Sequence, residues 1–193
     1  MLLHNRARGE RWLAMLRLAA DVRSGAPYEN LAPEFVAKAI ALEDKSPDTV
    51  SAHAIAYASA FWRRENDEAA RLLEVCLRNC NVTSPTLRFA LMSDAAVFQA
   101  RRRKRVDLAE QWVADISDKV EYPWLRPRAE AAILEAKGNI PGALKKLDDV
   151  EKMVLATPNA ALREISLRNL RRWQAELQPE LQTKNSEQAS ALV

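Results

Sequence analysis

Apolar residues recur along this chain at helical spacing, and one apolar triplet recurs as a unit. An alanine is followed four residues on by a large apolar residue and seven on by another. The sets are Ala69, Leu73, Cys76, then Ala109, Val113, Ile116, then Ala143, Leu147, Val150. A proline follows each, at Pro85, Pro123 and Pro158. The second and third alanines stand 34 residues apart, and the first and second 40. Spacings of four and seven put all three side chains on one face of a helix. A fixed period of this length marks stacked supersecondary units rather than one closed core.

The polar and helix-breaking residues fall between these stripes. A helix is expected over about 6–23, ended by Ser24-Gly25-Ala26-Pro27, with a short connection from Tyr28 to Leu31. Pro33 then opens the segment PEFVAKAIALED. Ser46 can cap the next helix, with Pro47 in its first turn. That helix, to about Arg64, carries Ala52, Ala54, Ala56, Ala58 and Ala60, a density that lets two helices approach closely. Its partner covers about 68–79. Further pairs are expected over 86–102 with 107–120, and over 125–137 with 141–156, the last turned by Gly138-Asn139. A final helix over 160–177 has Leu162, Ile165, Leu170 and Trp173 on one side and arginines elsewhere, as the terminal cap of an array does. After Pro179 the apolar period stops, so 179–193 is expected to be a flexible tail.

The organisation expected is therefore one helical-repeat domain, 6–178, with pairs at about 6–45, 49–79, 86–120 and 125–156 and a capping helix. Only four glycines among 193 residues argue in the same direction, since an all-β domain needs many tight turns. The fold class is all-α: antiparallel helix pairs stacked as a short superhelix.

Small residues on a first helix, a turn, then Ala-x3-large-x2-large on a second helix and a following proline resemble the tetratricopeptide repeat. The fullest copy is Ala131 to Pro158, with Gly138 at the turn and Ile140 three residues before Ala143. Where that copy has Gly138, the other two carry Arg64 and Lys104. The resemblance implies a non-catalytic scaffold that binds a partner segment on its concave face. Separately, the run from ERWLAMLRLAADVRSG through APEFVAKAIALEDKSPDTVSAHAIAYASAF is similar to soluble C-terminal regions of bacterial site-2-protease-like membrane metallopeptidases. No HExxH zinc motif accompanies it, so that similarity implies an accessory domain, with a membrane protein as partner.

Charge and chemistry change this picture little. The formal charge is +3, too small by itself to argue for nucleic acid. The two cysteines, Cys76 and Cys80, share one helix face and with His53 could supply three zinc ligands, but they suit buried packing better. His4 is the only other histidine. No nucleophile elbow or glycine-rich phosphate loop occurs in the sequence, and the carboxylates cluster at helix starts. No catalytic residue, metal or cofactor is expected.

The partner surface expected from helix position is His53, Tyr57, Arg88, Asp94, Arg128 and Glu135, for an extended or helical peptide. The alternative is an anion site for nucleic acid or acidic lipid. It would use Arg101, Arg102, Arg103, Lys104 and Arg105, with Arg63 and Arg64 at the equivalent turn of the preceding copy. Trp12, Trp112 and Trp173 fall on apolar stripes and are expected in the core, whereas Trp124 follows Pro123 in a turn and is the contact candidate. Arg6, Arg8, Arg11 and Arg17 beside Trp12, Leu13 and Leu16 also suit a helix lying on a membrane surface. The default location for so few cysteines and no secretory signal is cytoplasmic, including the membrane surface.

Overall fold

The computed structural model describes residues 2–117 and 119–190, with side chains over 6–117 and 119–179. The His4 side chain and residues 191–193 of the expected tail lie outside these limits. The protein is all-α, and no strand occurs among the described residues. The helices are α1 (Leu2–Arg23), α2 (Pro33–Ile40), α3 (Pro47–Arg63), α4 (Asn66–Asn79), α5 (Pro85–Arg101), α6 (Val106–Ala114), α7 (Leu125–Ala136), α8 (Ile140–Leu155) and α9 (Ala160–Ser190). Single 3-10 turns cover Tyr28–Asn30 and Cys80–Val82. No described helix is long and apolar enough to cross a membrane. The chain forms two compact units, 1–91 and 92–193, which divide within α5.

In the first unit α1 packs on α2, α2 on α3, and α3 most extensively on α4. The alanine-rich face explains that last contact. Ala52, Ala56 and Ala60 are buried on α3, and Ala69, Leu72, Leu73 and Cys76 are buried on α4. With so little side chain between them the backbones can come close. Val50, Cys76, Cys80 and Leu91 form one apolar cluster, in which the Cys76 thiol donates to the Val50 carbonyl at 3.7 Å. Both cysteines are free and buried, so they pack as small hydrophobes. Helix α2 stops at Ile40, four residues before the end of the expected segment, and Asp44 beyond it accepts from the hydroxyls of Ser46, the cap of α3, and of Thr49.

Helix α1 is apolar on two opposite sides. Ala14, Leu18 and Val22 are buried, whereas Trp12, Leu13 and Leu16 are 57%, 63% and 44% exposed. Trp12 is thus a surface residue and not the core residue its stripe suggested.

In the second unit α6 packs on α7, α7 on α8 and α8 on α9. Ala129, Ala132, Ala143, Leu147, Val150, Val154, Leu170, Trp173 and Leu177 are buried in it. Helix α6 ends at Ala114, short of the expected 120, yet Ile116 beyond its end is fully buried. The Arg126 guanidinium of α7 donates to the Ile116 carbonyl and satisfies this post-helical backbone. Helix α9 passes through Pro179 to Ser190, beyond the expected 177. Glu, Gln, Lys, Leu and Ala in this stretch are good helix formers, so propensity extends the helix where the apolar stripe has stopped.

Three helix-to-helix turns share one backbone form. Arg64, Lys104 and Gly138 have φ of 64°, 56° and 76°, and each stands two residues before the helix that follows, α4, α6 and α8. The residue after each, Glu65, Arg105 and Asn139, has ψ of 71°, 78° and 71° and opens the next helix. Their backbone N–H groups reach back to the Ala60, Gln99 and Leu134 carbonyls at 3.0, 2.9 and 2.9 Å.

Candidate functional site

The expected partner surface divides into residues that are open and residues that are spent on the fold. His53 on α3 is fully buried. Its Nδ1 lies 2.8 Å from the Thr49 carbonyl oxygen, which can only accept, so Nδ1 carries the proton there. Its Nε2 stands 3.7 Å from Glu43. Tyr57 is 4% exposed, with its ring 5.9 Å from that of Phe61. Both residues belong to the core and neither lines an open groove. The reason is that α3 is covered by α2, α4 and the first 3-10 turn together. Arg88 on α5 is half-buried, its guanidinium 5.2 Å from the Phe89 ring centre.

In the second unit the geometry is more informative. Asp94 of α5 accepts from the Arg128 guanidinium of α7 at 2.8 Å, and each side chain is 26% exposed. The same nitrogen lies 3.4 Å from the Ser93 hydroxyl, which donates to the Leu125 carbonyl at 2.8 Å. The inner end of this link is therefore fixed, and both side chains reach the surface in part. Glu135, two turns further along the same face of α7, is not open. One of its oxygens accepts from Arg101 at 2.8 Å and from the Trp173 indole at 2.6 Å. Arg101 also donates to Glu176 at 2.8 Å, and its guanidinium lies 4.3 Å from the centre of the Trp173 ring. Arg101 and Glu135 side chains are 5% and 11% exposed, so the pair ties α5, α7 and α9 and faces no partner.

The basic run therefore starts one residue late. Arg101 is internal, and Arg102 is half-buried. Arg103 and Lys104 are exposed, the former 5.7 Å from the Phe98 ring. Arg105 forms a two-pronged pair with Asp107 at 3.1 and 2.9 Å, which lowers the Asp107 pKa and raises that of Arg105. At the earlier turn Arg63 donates to the Glu29 and Leu31 carbonyls at 2.9 and 2.7 Å and fastens the 3-10 turn, while Arg64 is exposed. The two turns thus present fewer outward cations than the sequence suggests. Trp124, expected at the surface, is 8% exposed and stacks on Tyr122 with ring centres 5.8 Å apart.

Two further features stand apart from the expected partner surface and the basic turn, the first of them without a site expectation from the sequence and the second expected there as a membrane-surface helix. One is a polar knot at the start of α3. Arg11 is 4% exposed and donates to Asp44 at 3.2 Å and to Thr49 at 3.0 Å. The Ser46 and Thr49 hydroxyls also donate to Asp44, and the Thr49 N–H donates to the capping Ser46 oxygen at 3.3 Å. Those two hydroxyls, with Arg11 in support, hold the Asp44 carboxyl far below the usual carboxylate range. The sequence signal was Asp44 two residues ahead of a Ser-Pro-Asp-Thr start. A depression of about 480 Å³ opens beside the knot, against Arg8, Gly9 and Trp12. The other feature is the outward face of α1, where Trp12, Leu13 and Leu16 lie on the side opposite the packed stripe.

Among the described residues no group of three His, Cys, Asp or Glu side chains converges as a metal site. A second depression, of about 360 Å³, lies between α8 and α9 and is lined by Asp148, Arg171 and Gln174 among others. What the arrangement offers chemically is charge and apolar area for binding. Comparison with family models, curated proteins and solved structures returned no match.

Proposed function

We propose that the chain is a non-catalytic interaction scaffold of tetratricopeptide-like helix pairs. In this reading its second unit receives a partner segment along the first helices of its pairs, α5 and α7. The observation that carries the proposal is the Asp94–Arg128 pair, a partly exposed charge link between those two helices whose inner side is anchored through Ser93. A partner carboxylate can take one face of the Arg128 guanidinium while Asp94 keeps the other, because the fork offers five donors. The shared turn geometry at Arg64, Lys104 and Gly138 supports the repeat reading, since copies of one unit reuse one turn. The resemblance of the first half to membrane-protease accessory regions makes a membrane protein the first partner to seek. The rival site at the basic turn is less supported, because Arg101 is buried in ion pairs and Arg105 is matched by Asp107.

The test is site-specific photocrosslinking in cells of the source. A photoreactive side chain replaces Asp94, Arg128 or, as a control on the outer face of α4, Glu74. Discrete adducts to one protein from positions 94 and 128, and none from 74, are expected. Adducts from 74 alone, or nucleic acid captured from 103 and 104, would remove the proposal.

A further inference from the structure

The outward face of α1 carries large apolar side chains that no described residue of the first unit covers. Trp12, Leu13 and Leu16 are 57%, 63% and 44% exposed, and Ala20 extends the same stripe one turn on. At 100° per residue these positions lie opposite Ala14, Leu18 and Val22, which hold the helix to the first unit. A Cβ at Gly9, on the same outward stripe, would meet nothing within 4 Å. Leaving one large apolar side chain exposed is ordinary, but three on adjoining turns of one helix mark a surface that is used.

The charges around this stripe are sorted. Arg8 borders it on one side, Arg6 and Arg17 on the other, and Arg23 continues it toward the helix end. Their side chains reach solvent: 77% exposed for Arg6, 55% for Arg8 and 63% for Arg17. The acidic residues of the helix, Glu10 and Asp21, fall behind this rim, toward the packed side. They meet Arg6 and Arg17 at 3.0 and 3.2 Å, the first pair exposed and the second with Asp21 half-buried, while Arg8 lies 3.5 Å from Asp44. Exposed pairs of this kind hold only about 0–1 kcal/mol, so an incoming phosphate can compete for both arginines.

We infer that the outward face of α1 docks on an acidic phospholipid surface, with Trp12, Leu13 and Leu16 entering the headgroup–acyl boundary and Arg6, Arg8, Arg17 and Arg23 meeting the lipid phosphates. An apolar stripe with an arginine rim and a tryptophan at its edge is the pattern of a helix lying in the membrane plane. A second copy of this chain would oppose the stripe with another arginine rim, and that like charge disfavours it. The face needs no groove, because a bilayer is flat and the stripe is solvent-exposed. This surface lies on α1, separate from the α5 and α7 surface proposed above, and neither depends on the other.

The experiment uses the full chain and sedimentation with vesicles of phosphatidylcholine alone or of phosphatidylcholine with phosphatidylserine. Binding to the acidic vesicles and not the neutral ones is expected, weakening as salt rises. Tryptophan emission should shift to the blue on binding, and Trp12→Phe should remove most of that shift while binding persists. Leu13→Gln with Leu16→Gln should reduce binding at least tenfold, and Arg17→Gln with Arg23→Gln should do the same, each with unchanged helicity. Arg103→Gln with Lys104→Gln should leave binding intact. The inference is overturned if neither vesicle is bound, or if only the 103/104 variant loses binding. It is also overturned if the chain self-associates without lipid in a way that Leu13→Gln with Leu16→Gln abolishes.

Discussion

Arg64 and Lys104 adopt the same left-handed backbone, with φ of 64° and 56°, although both carry side chains that disfavour it. Gly138 holds the equivalent position at 76° without that penalty. A left-handed conformation costs a residue with a Cβ about 1–2 kcal/mol, part of which glycine gives back through its freer unfolded chain. Arg64→Gly and Lys104→Gly should therefore each stabilise the protein by up to about 1 kcal/mol, and Gly138→Ala should destabilise it by about as much. Urea denaturation of the three variants measures this. A destabilised Lys104→Gly would mean that the side chain does something the backbone argument lacks.

Arg101 and Arg103 are two residues apart in one basic run and should behave as different kinds of residue. Arg101→Met leaves the 11%-exposed Glu135 carboxylate with no cation against it, takes a donor from Glu176 and removes the stacking on Trp173. Breaking a buried pair by deleting one partner costs about 3–5 kcal/mol. Arg103→Ala, at an exposed site, should stay within about 0.5 kcal/mol. Equal small losses from both would contradict the placement of Arg101. For the same reason a variant with the whole run neutralised is a poor probe of anion binding, because it also undoes the link among α5, α7 and α9.

The knot at the start of α3 predicts an acid-side loss of stability. The folded Asp44 pKa lies below its unfolded value of about 4, so its contribution is fully present above that value. It declines as pH falls through 4 toward the folded pKa. Asp44→Asn should lower the thermal midpoint at neutral pH, and the gap from the wild type should narrow as the solution is acidified below about 4. A gap independent of pH would show that the Ser46, Thr49 and Arg11 contacts do not depend on the ionised carboxylate.

Periodicity located the helices well because each unit is built of local pairs, and local pairs leave their stripe in the sequence. It also placed Ala69, Ala109 and Ala143, all fully buried. What it could not see was which of two apolar stripes on α1 has a partner. Ala14, Leu18 and Val22 read no more apolar than Trp12, Leu13 and Leu16, and only the packing of α2 decides between them. His53, Tyr57 and Glu135 drop out of the expected partner surface for a related reason. His53 and Glu135 were placed by position along a first helix, but a side chain is freed or spent by what lies across from it. For Glu135 that is Trp173, 38 residues on and joined by an indole hydrogen bond. The helix ends were missed where long-range polar groups act, as with Asp44 after α2 and Arg126 after α6.

The tryptophans give the sharpest check on this arrangement, because the sequence and the structure rank them differently. Trp12 is 57% exposed, whereas Trp124 and Trp173 are 8% and 3% exposed. Trp62 and Trp112 are half-buried. Iodide, which reaches only solvent-facing indoles, should quench a fraction of the native emission dominated by Trp12. Trp12→Phe should remove most of the quenchable fraction, while Trp124→Phe should leave it nearly unchanged and cost stability, since it gives up a buried stack on Tyr122. The reverse ranking would mean that α1 turns its other stripe outward, with Leu18 in solvent and Trp12 in the core.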